Sequence, residues 1–128
     1  MTTAIKNRPK HLNLLKIKQP IPAIVSILHR ISGAGLFLIG IPLGLYILQS
    51  SLSSEAAFNY WFESLSNPCI KLICIGLIWA FFHHLSAGIR FLLLDIHVGI
   101  SLEKTRLSSN IVLGISLLLT LLVVIKIW

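Results

Sequence analysis

The sequence predicts an all-α integral membrane protein in which three transmembrane helices form an up-down bundle. Hydrophobic residues make up 55% of its 128 residues and charged residues only 12%, proportions that lie outside the range of soluble domains. A soluble domain of this size has too small an interior to bury so much apolar surface. Three apolar stretches, 31–48, 69–94 and 111–125, approach or exceed the roughly 20 helical residues that cross a hydrocarbon layer about 30 Å thick. We therefore expect the chain, 1–128, to form a single membrane domain.

The first helix is expected over residues 21–49, after a polar and basic leader, 1–20. Pro20 and Pro22 end any earlier helix and suit the first turn of a new one. Pro42 is expected to kink this helix. Its glycines leave small faces on which a neighbouring helix packs closely: Gly33, Gly35, Gly40 and Gly44.

The second helix is expected over residues 69–97 and the third over 108–127. The loop between the first two helices contains Tyr60-Trp61-Phe62, which suits the aromatic belt at a membrane interface. Lys126 and Trp128 suit an anchor at the same, outer surface.

The net charge of +7 is distributed in a way that predicts membrane orientation rather than nucleic-acid binding. Cations concentrate in the leader and recur in the second loop as Lys104 and Arg106, whereas the first loop carries Glu55 and Glu63 without Lys or Arg. The positive-inside rule then places the N-terminus in the cytoplasm. The leader does not look like a cleavable signal peptide. We expect a multi-pass protein of the bacterial inner membrane, with the mitochondrial inner membrane as the less favoured alternative.

A histidine pair, His83 and His84, lies inside the second apolar stretch. Ionisable residues at membrane depth are costly and usually functional, and neutral imidazole is a common ligand of haem and transition metals. At 100° per residue, one stripe of the helix carries His83, Ser86, Arg90 and His97, and a neighbouring stripe carries His84, Gly88, Phe91 and Asp95. Gly88, one turn from His84, leaves room for a flat ring, which favours His84 over His83 as the haem ligand. The alternative for either histidine is a hydrogen bond to a helix carbonyl.

His29 and Arg30 directly precede the first apolar stretch, so they are expected at the cytoplasmic membrane boundary. His84 is then expected to lie roughly 15 Å deeper, at 1.5 Å per residue. Two axial ligands of one iron place their nitrogens about 4 Å apart. If a haem at His84 has two axial ligands, we therefore expect the second from a partner subunit, with His29 and Arg30 near the propionates or another polar group.

Ser26 and Arg30 are four residues apart and share a helix face at this boundary. A hydroxyl and a guanidinium beside an apolar wall suit the carbonyl oxygens of a quinone. Equally, Arg30 suits an interfacial residue that reaches lipid phosphates, with Ser26 as a small packing residue. The spacing alone does not separate these alternatives.

Three motifs together resemble the cytochrome b membrane-anchor subunit, or C subunit, of succinate dehydrogenase. They are Arg8-Pro9 with Leu12-Asn13-Leu14, the run Ser26-Ile27-Leu28-His29-Arg30-Ile31-Ser32-Gly33, and His84-x-x-x-Gly88-Ile89-Arg90 followed by Asp95. The resemblance covers nearly the whole chain, including its length and its three predicted helices.

The resemblance implies a subunit that passes electrons from succinate oxidation to ubiquinone and has no activity alone. A second small membrane-anchor subunit is expected beside it, and the two together hold the iron–sulfur and flavoprotein subunits on the membrane. His84 matches the axial ligand of a haem b shared by the two anchors. Ser26 and Arg30 match positions that line the ubiquinone site, and His29 matches a position near the haem propionates.

Phe91 departs from the family pattern, because many bacterial relatives carry histidine directly after Gly-Ile-Arg. The propionate contacts then fall to His29, Arg30 or the partner subunit. Two alternatives remain: a haem-free anchor of the fumarate reductase type, and a small transporter that uses the stripe of His83 and Arg90.

Overall fold

The computed structural model describes residues 17–127, so most of the predicted leader and Trp128 lie outside the described residues. Four helices follow one another in the described part of the chain: α1 over Ile21–Ser51, α2 over Glu55–Ser64, α3 over Pro68–Asp95 and α4 over Leu102–Ile127. The helices α1, α3 and α4 are each long and apolar enough to cross a membrane, and each packs against the other two. The predicted all-α fold with three transmembrane helices is confirmed.

The first helix changes from α-helical to π-helical hydrogen bonding just before Pro42. A π-helical turn, Leu36–Gly40, interrupts α1, and the N–H of Ile41 donates to the carbonyl of Leu36. Proline has no N–H and its ring collides with the carbonyl four residues earlier. A wider turn just before Pro42 relieves that collision. The predicted disturbance at Pro42 therefore takes the form of a π-turn.

The second predicted helix ends two residues earlier than expected, at Asp95 rather than at residue 97. His97 adopts a left-handed conformation, with φ of 63°. Its N–H donates to the carbonyl of Leu94 at 3.0 Å, and the N–H of Val98 donates to that of Leu93 at 2.9 Å. This pair of bonds is the Schellman pattern, which closes a helix by satisfying its last carbonyls.

The third predicted helix begins earlier than expected, at Leu102 rather than at residue 108. The segment 102–107 carries Glu103, Lys104 and Arg106, and these charges led us to place it in a loop. Charge limits how far a helix extends into lipid, but it does not prevent the helix from continuing into water. The loop between α3 and α4 is therefore only 96–101.

The predicted loop between the first two spans contains a helix of its own, α2. Ser54 caps it by accepting a hydrogen bond from the N–H of Ala57 at 3.1 Å. Trp61 donates its indole N–H to the hydroxyl of Ser50 at 3.0 Å and meets Tyr46 edge-on, with ring centroids 6.1 Å apart. These contacts attach α2 to the end of α1.

Most of the buried side chains in the bundle are small, and the exceptions are His83 and Arg90. Val25 of α1, Ala87 of α3 and Val112 of α4 are buried together. Three buried hydroxyl groups on α4 each donate a hydrogen bond to a backbone carbonyl of the same helix, at 2.7–3.0 Å: Ser109, Ser116 and Thr120. Since these side chains are short and need no partner on another helix, they allow the close approach typical of membrane helices.

Candidate cofactor site

His84 of α3 lies against His29 of α1. The Nδ1 atom of His84 is 3.1 Å from the backbone carbonyl oxygen of His29. The two imidazole rings stack in parallel, with centroids 4.3 Å apart and planes 3° from each other. Buried Ser32 donates its hydroxyl to the same carbonyl at 3.0 Å, and its oxygen is 3.5 Å from Nδ1 of His84.

The carbonyl of His29 decides which nitrogen of His84 carries the proton. A carbonyl only accepts hydrogen bonds, so Nδ1 of His84 is the N–H donor and Nε2 keeps its lone pair. The Nε2 atom has no hydrogen bond among the described residues and is not buried. A histidine that donates one ring N–H to a carbonyl while the other nitrogen is free has the arrangement of a metal-ligating histidine.

Gly33 provides the space in which the His84 ring lies. A Cβ atom built on Gly33 would be 2.7 Å from Cε1 and 3.1 Å from Nδ1 of His84, closer than real side chains approach. A Cβ added at Gly88 would meet only Nε2 of His29, at an ordinary 3.6 Å. The room expected beside Gly88 is for the flat ring of a haem and stays a prediction, whereas Gly33 makes room for the imidazole of His84 itself. Gly33 belongs to the motif of α1, which was the available signal.

The predicted depth difference between His29 and His84 was wrong. The prediction placed the membrane boundary at the start of the apolar stretch 31–48, next to His29. The helix α1 already begins at Ile21, and α3 ends at Asp95. His29 lies eight residues, about 12 Å, from its helix end, and His84 lies eleven residues, about 16 Å, from its own. These depths are close enough for the two side chains to meet.

The stacked geometry still prevents this pair from holding one iron from both sides. Axial ligands lie on opposite faces of a haem and point their nitrogens at each other across the iron. Parallel rings with centroids 4.3 Å apart lie face to face instead. His29 therefore does not serve as the second axial ligand opposite His84 in this arrangement.

His83 faces the interior of the bundle. It is fully buried, the backbone of Val25 approaches its ring without completing a hydrogen bond, and its ring stacks on Trp79 with centroids 5.2 Å apart. A ligand approaching from outside the three helices has no access to it. This placement favours His84 for ligation.

Phe91 and Arg90 occupy the next turn of α3. Phe91 contacts the ring of His29, with centroids 5.1 Å apart. Arg90 is buried, its Nε donates to the hydroxyl of Ser108 at 3.0 Å, and its guanidinium carbon lies 5.1 Å from the centre of the Phe91 ring. The stripe of His83, Ser86, Arg90 and His97 does not continue along one helix face, because His97 lies beyond the end of α3.

Ser26 and Arg30 lie near the start of α1, on the face their spacing implies. Ser26 is half-buried and Arg30 is exposed. Neither side chain makes a hydrogen bond or ion pair with another described residue. The structure therefore leaves the Arg30 guanidinium accessible, without joining it to Ser26 or His84.

Comparison with known proteins identifies close similarity over nearly the full chain. Residues 4–123 match a family described as "Succinate dehydrogenase/Fumarate reductase transmembrane subunit". A "Succinate dehydrogenase cytochrome b556 subunit" of Coxiella burnetii is 38% identical over 94% of this chain and 97% of its own length. One of the same name from Paracoccus denitrificans is 33% identical over 93% and 91%. A "Succinate dehydrogenase cytochrome b560 subunit" of Reclinomonas americana is 34% identical over 91% and 83%.

Proposed function

This chain belongs to the family of succinate dehydrogenase/fumarate reductase transmembrane subunits, and from that premise we propose that it binds haem b through His84. In the proposed complex it is the cytochrome b membrane anchor through which electrons from succinate oxidation reach ubiquinone. The names of its bacterial relatives, cytochrome b556 subunits of succinate dehydrogenase, support this function.

The observation that carries the proposal is the tautomer of His84, which leaves one ring nitrogen free to bind a metal. Nδ1 donates to the carbonyl of His29 at 3.1 Å, so Nε2 is the atom available to iron. The absence of a side chain at Gly33 leaves the space that the His84 ring occupies, and a Cβ at this position would collide with the ring. No group of three or more His, Cys, Asp or Glu side chains converges in the described part of the chain. A lone accessible imidazole suits an iron whose other equatorial ligands come from a porphyrin.

A bound haem supplies one-electron redox chemistry at this position. The second axial ligand is expected from a second small membrane-anchor subunit, since His29 stacks on His84 rather than opposing it. His29, beside His84, and exposed Arg30 are the residues of this chain expected nearest the propionates. Phe91 contributes only an apolar wall against His29.

Ser26 and Arg30 are the residues we assign to ubiquinone. The exposed guanidinium of Arg30 donates to a quinone oxygen and favours the negative charge that develops there on reduction. Ser26, one turn earlier, donates from its hydroxyl to orient the ring. Since both residues lie near the start of α1, protons reach this site from the adjacent aqueous surface.

The orientation follows from the distribution of cations. With the N-terminus in the cytoplasm, the start of α1 and the loop 96–101 face the same side. The iron–sulfur and flavoprotein subunits are expected to dock there, in a bacterial inner membrane.

Replacing His84 tests this function. In the assembled complex, His84→Leu is expected to abolish the low-spin b-type signal of the reduced-minus-oxidised absorbance spectrum. His83→Leu is the matched control and is expected to retain the signal, because the His83 ring is buried inside the bundle and is not accessible to a cofactor outside the three helices. Subunit stoichiometry reports assembly for both variants.

Loss of the signal in His83→Leu but not in His84→Leu would reverse the ligand assignment. A complex of the unaltered chain without b-type absorbance would instead indicate the haem-free anchor of the fumarate reductase type.

A further inference from the structure

A cavity of about 500 Å³ opens between α3 and α4. Its wall is mainly aliphatic: Leu85, Ile89 and Leu93 from α3, and Leu107, Ile111 and Ile115 from α4. Ile89 and Leu93 follow His84 by five and nine residues, which places them about 140° and 180° around the helix from it. The cavity therefore opens on the opposite face of α3 from His84 and does not belong to the candidate cofactor site.

The charged side chains that line the cavity are both cations, Arg90 and Lys104. Arg90 is only 5% exposed. Its hydrogen bonds go to neutral groups, the Ser108 hydroxyl at 3.0 Å and the carbonyl of Thr105 at 3.4 Å. Within residues 17–127 it has no carboxylate partner. A buried cation without a counter-ion is costly at the edge of a membrane, so an anion beside it is stabilising.

The cations and the apolar wall are arranged along the membrane normal. Arg90 precedes the end of α3 by five residues, and Lys104 is near the start of α4, so both lie at the same end of the cavity. From there the lining continues to Leu119, fifteen residues or about 22 Å along α4. This distance exceeds the roughly 15 Å depth of one leaflet. The cavity therefore has positive charge at one end, and from that end an apolar groove long enough for an acyl chain extends along α4.

We propose that this cavity binds an anionic phospholipid, with its phosphate beside Lys104 and Arg90 and an acyl chain along the aliphatic wall. Basic pockets between transmembrane helices are typical sites for anionic headgroups. A lipid with a zwitterionic headgroup offers the same chain but carries no net charge to offset the two cations. Asp95 and Glu103 lie at this end of the helices but do not line the cavity. The orientation proposed above determines only which leaflet supplies the lipid, namely the cytoplasmic one.

Lipid titration of the purified, delipidated complex tests this site by native mass spectrometry. Phosphatidylglycerol is expected to bind at least fivefold more tightly than phosphatidylcholine with the same acyl chains, on the scale of one cation near a membrane surface. Lys104→Gln is expected to remove about fivefold of that preference. Arg106→Gln is the matched control, because Arg106 is exposed on the same helix end and does not line the cavity. It is expected to leave the preference unchanged.

A second pair of variants tests the apolar groove. Ile111→Trp fills the cavity and is expected to weaken binding of both lipids. Ile125→Trp, at an exposed position outside the cavity, is expected to have no effect. The subunit masses in the same spectra report whether each variant assembles.

Any one of four results would overturn the proposal. The two lipids bind equally, or Lys104→Gln and Arg106→Gln have the same effect. Inorganic phosphate displaces phosphatidylglycerol at equal concentration, which indicates a free-phosphate site. A photoreactive group at position 89 cross-links to another subunit rather than to lipid, which indicates that protein covers the cavity.

Discussion

His84 and His83 are adjacent in the sequence but differ in what their ring nitrogens meet. The Nδ1 atom of His84 donates to the carbonyl of His29 and its Nε2 atom is accessible, whereas both ring nitrogens of His83 are buried inside the bundle. The carbonyl that holds His84 also accepts from Ser32. Two donors therefore share one acceptor, and the strength of each bond depends on the other.

Removing the Ser32 hydroxyl is expected to strengthen the bond from His84. In Ser32→Ala the carbonyl of His29 accepts from His84 alone, which makes the imidazole more electron-donating and stabilises oxidised iron. We expect the haem midpoint potential to fall by on the order of 20–40 mV, the one-electron equivalent of a net change of about 0.5–1 kcal/mol. Potentiometric titration of the complex measures the change.

Ser116→Ala is the control for Ser32→Ala. Ser116 is also buried, but its hydroxyl donates to the carbonyl of Leu113 in its own helix. An unchanged potential in Ser32→Ala, or an equal change in both variants, would contradict the role of Ser32.

Adding a methyl group at Gly33 is expected to displace the His84 ring. In Gly33→Ala the new Cβ would lie 2.7 Å from Cε1 of His84, and such overpacking costs about 1–3 kcal/mol. We expect roughly a tenfold or greater loss of haem per assembled complex, measured by pyridine haemochrome assay against protein. Gly35→Ala, with no atom within 4 Å of its added Cβ, is expected to retain haem. Equal haem content in the two variants would refute the role given to Gly33.

At the scale of elements, helix ends and interruptions follow local chemistry. Pro42 produces the π-turn of α1, and the Schellman pattern ends α3 at Asp95. Two residues of the connecting loop have positive φ, His97 at 63° and Gly99 at 77°. Glycine tolerates this conformation, whereas a residue with a Cβ pays a steric cost.

Substitutions in this loop are expected to have opposite effects. His97→Gly relieves the left-handed strain and is expected to stabilise the protein by about 1 kcal/mol. Gly99→Ala introduces the same strain and is expected to destabilise it by about 1–2 kcal/mol. The free energy of unfolding in mixed detergent micelles measures both changes. A loss of stability in His97→Gly would show that its side chain makes a contribution larger than the backbone strain.

At the scale of the whole molecule, the described part of the chain has two distinct faces around α3. The face of His84 meets α1, and the opposite face opens into the cavity beside α4. Large apolar side chains along α1, α3 and α4 are exposed, so these surfaces meet lipid or other subunits. Because Arg30 is exposed, the proposed quinone site needs surfaces of other subunits to enclose the quinone ring.

Replacing Arg30 is expected to weaken quinone reduction by the assembled complex. Arg30→Ala removes a charged donor, worth about 1.5–3 kcal/mol to a bound oxygen, so we expect kcat/KM for ubiquinone to fall roughly 10- to 100-fold. Succinate oxidation with a soluble artificial acceptor is expected to continue. Lys18→Ala, another exposed cation near the start of α1, serves as the control. A normal KM for ubiquinone in Arg30→Ala would exclude Arg30 from the site.

Apolar composition and motif spacing were sufficient to predict the three membrane helices and the family, because the hydrophobicity of a segment is a local and additive property. They also singled out His84, His29, Ser26 and Arg30. The sequence predicted the helix ends less well than the number of helices. The charged residues in 102–107 suggested a loop, although α4 already begins there.

Only the tertiary structure decided how His84 is held. The hydrogen bond to His29 and the close approach to Gly33 join residues more than fifty positions apart, so their contact depends on how α1 and α3 cross. The start of the first apolar stretch gave a wrong depth for His29, because α1 already begins at Ile21. The face of a helix is encoded in its own residues, but the atoms that this face meets are determined by the packing of the neighbouring helix.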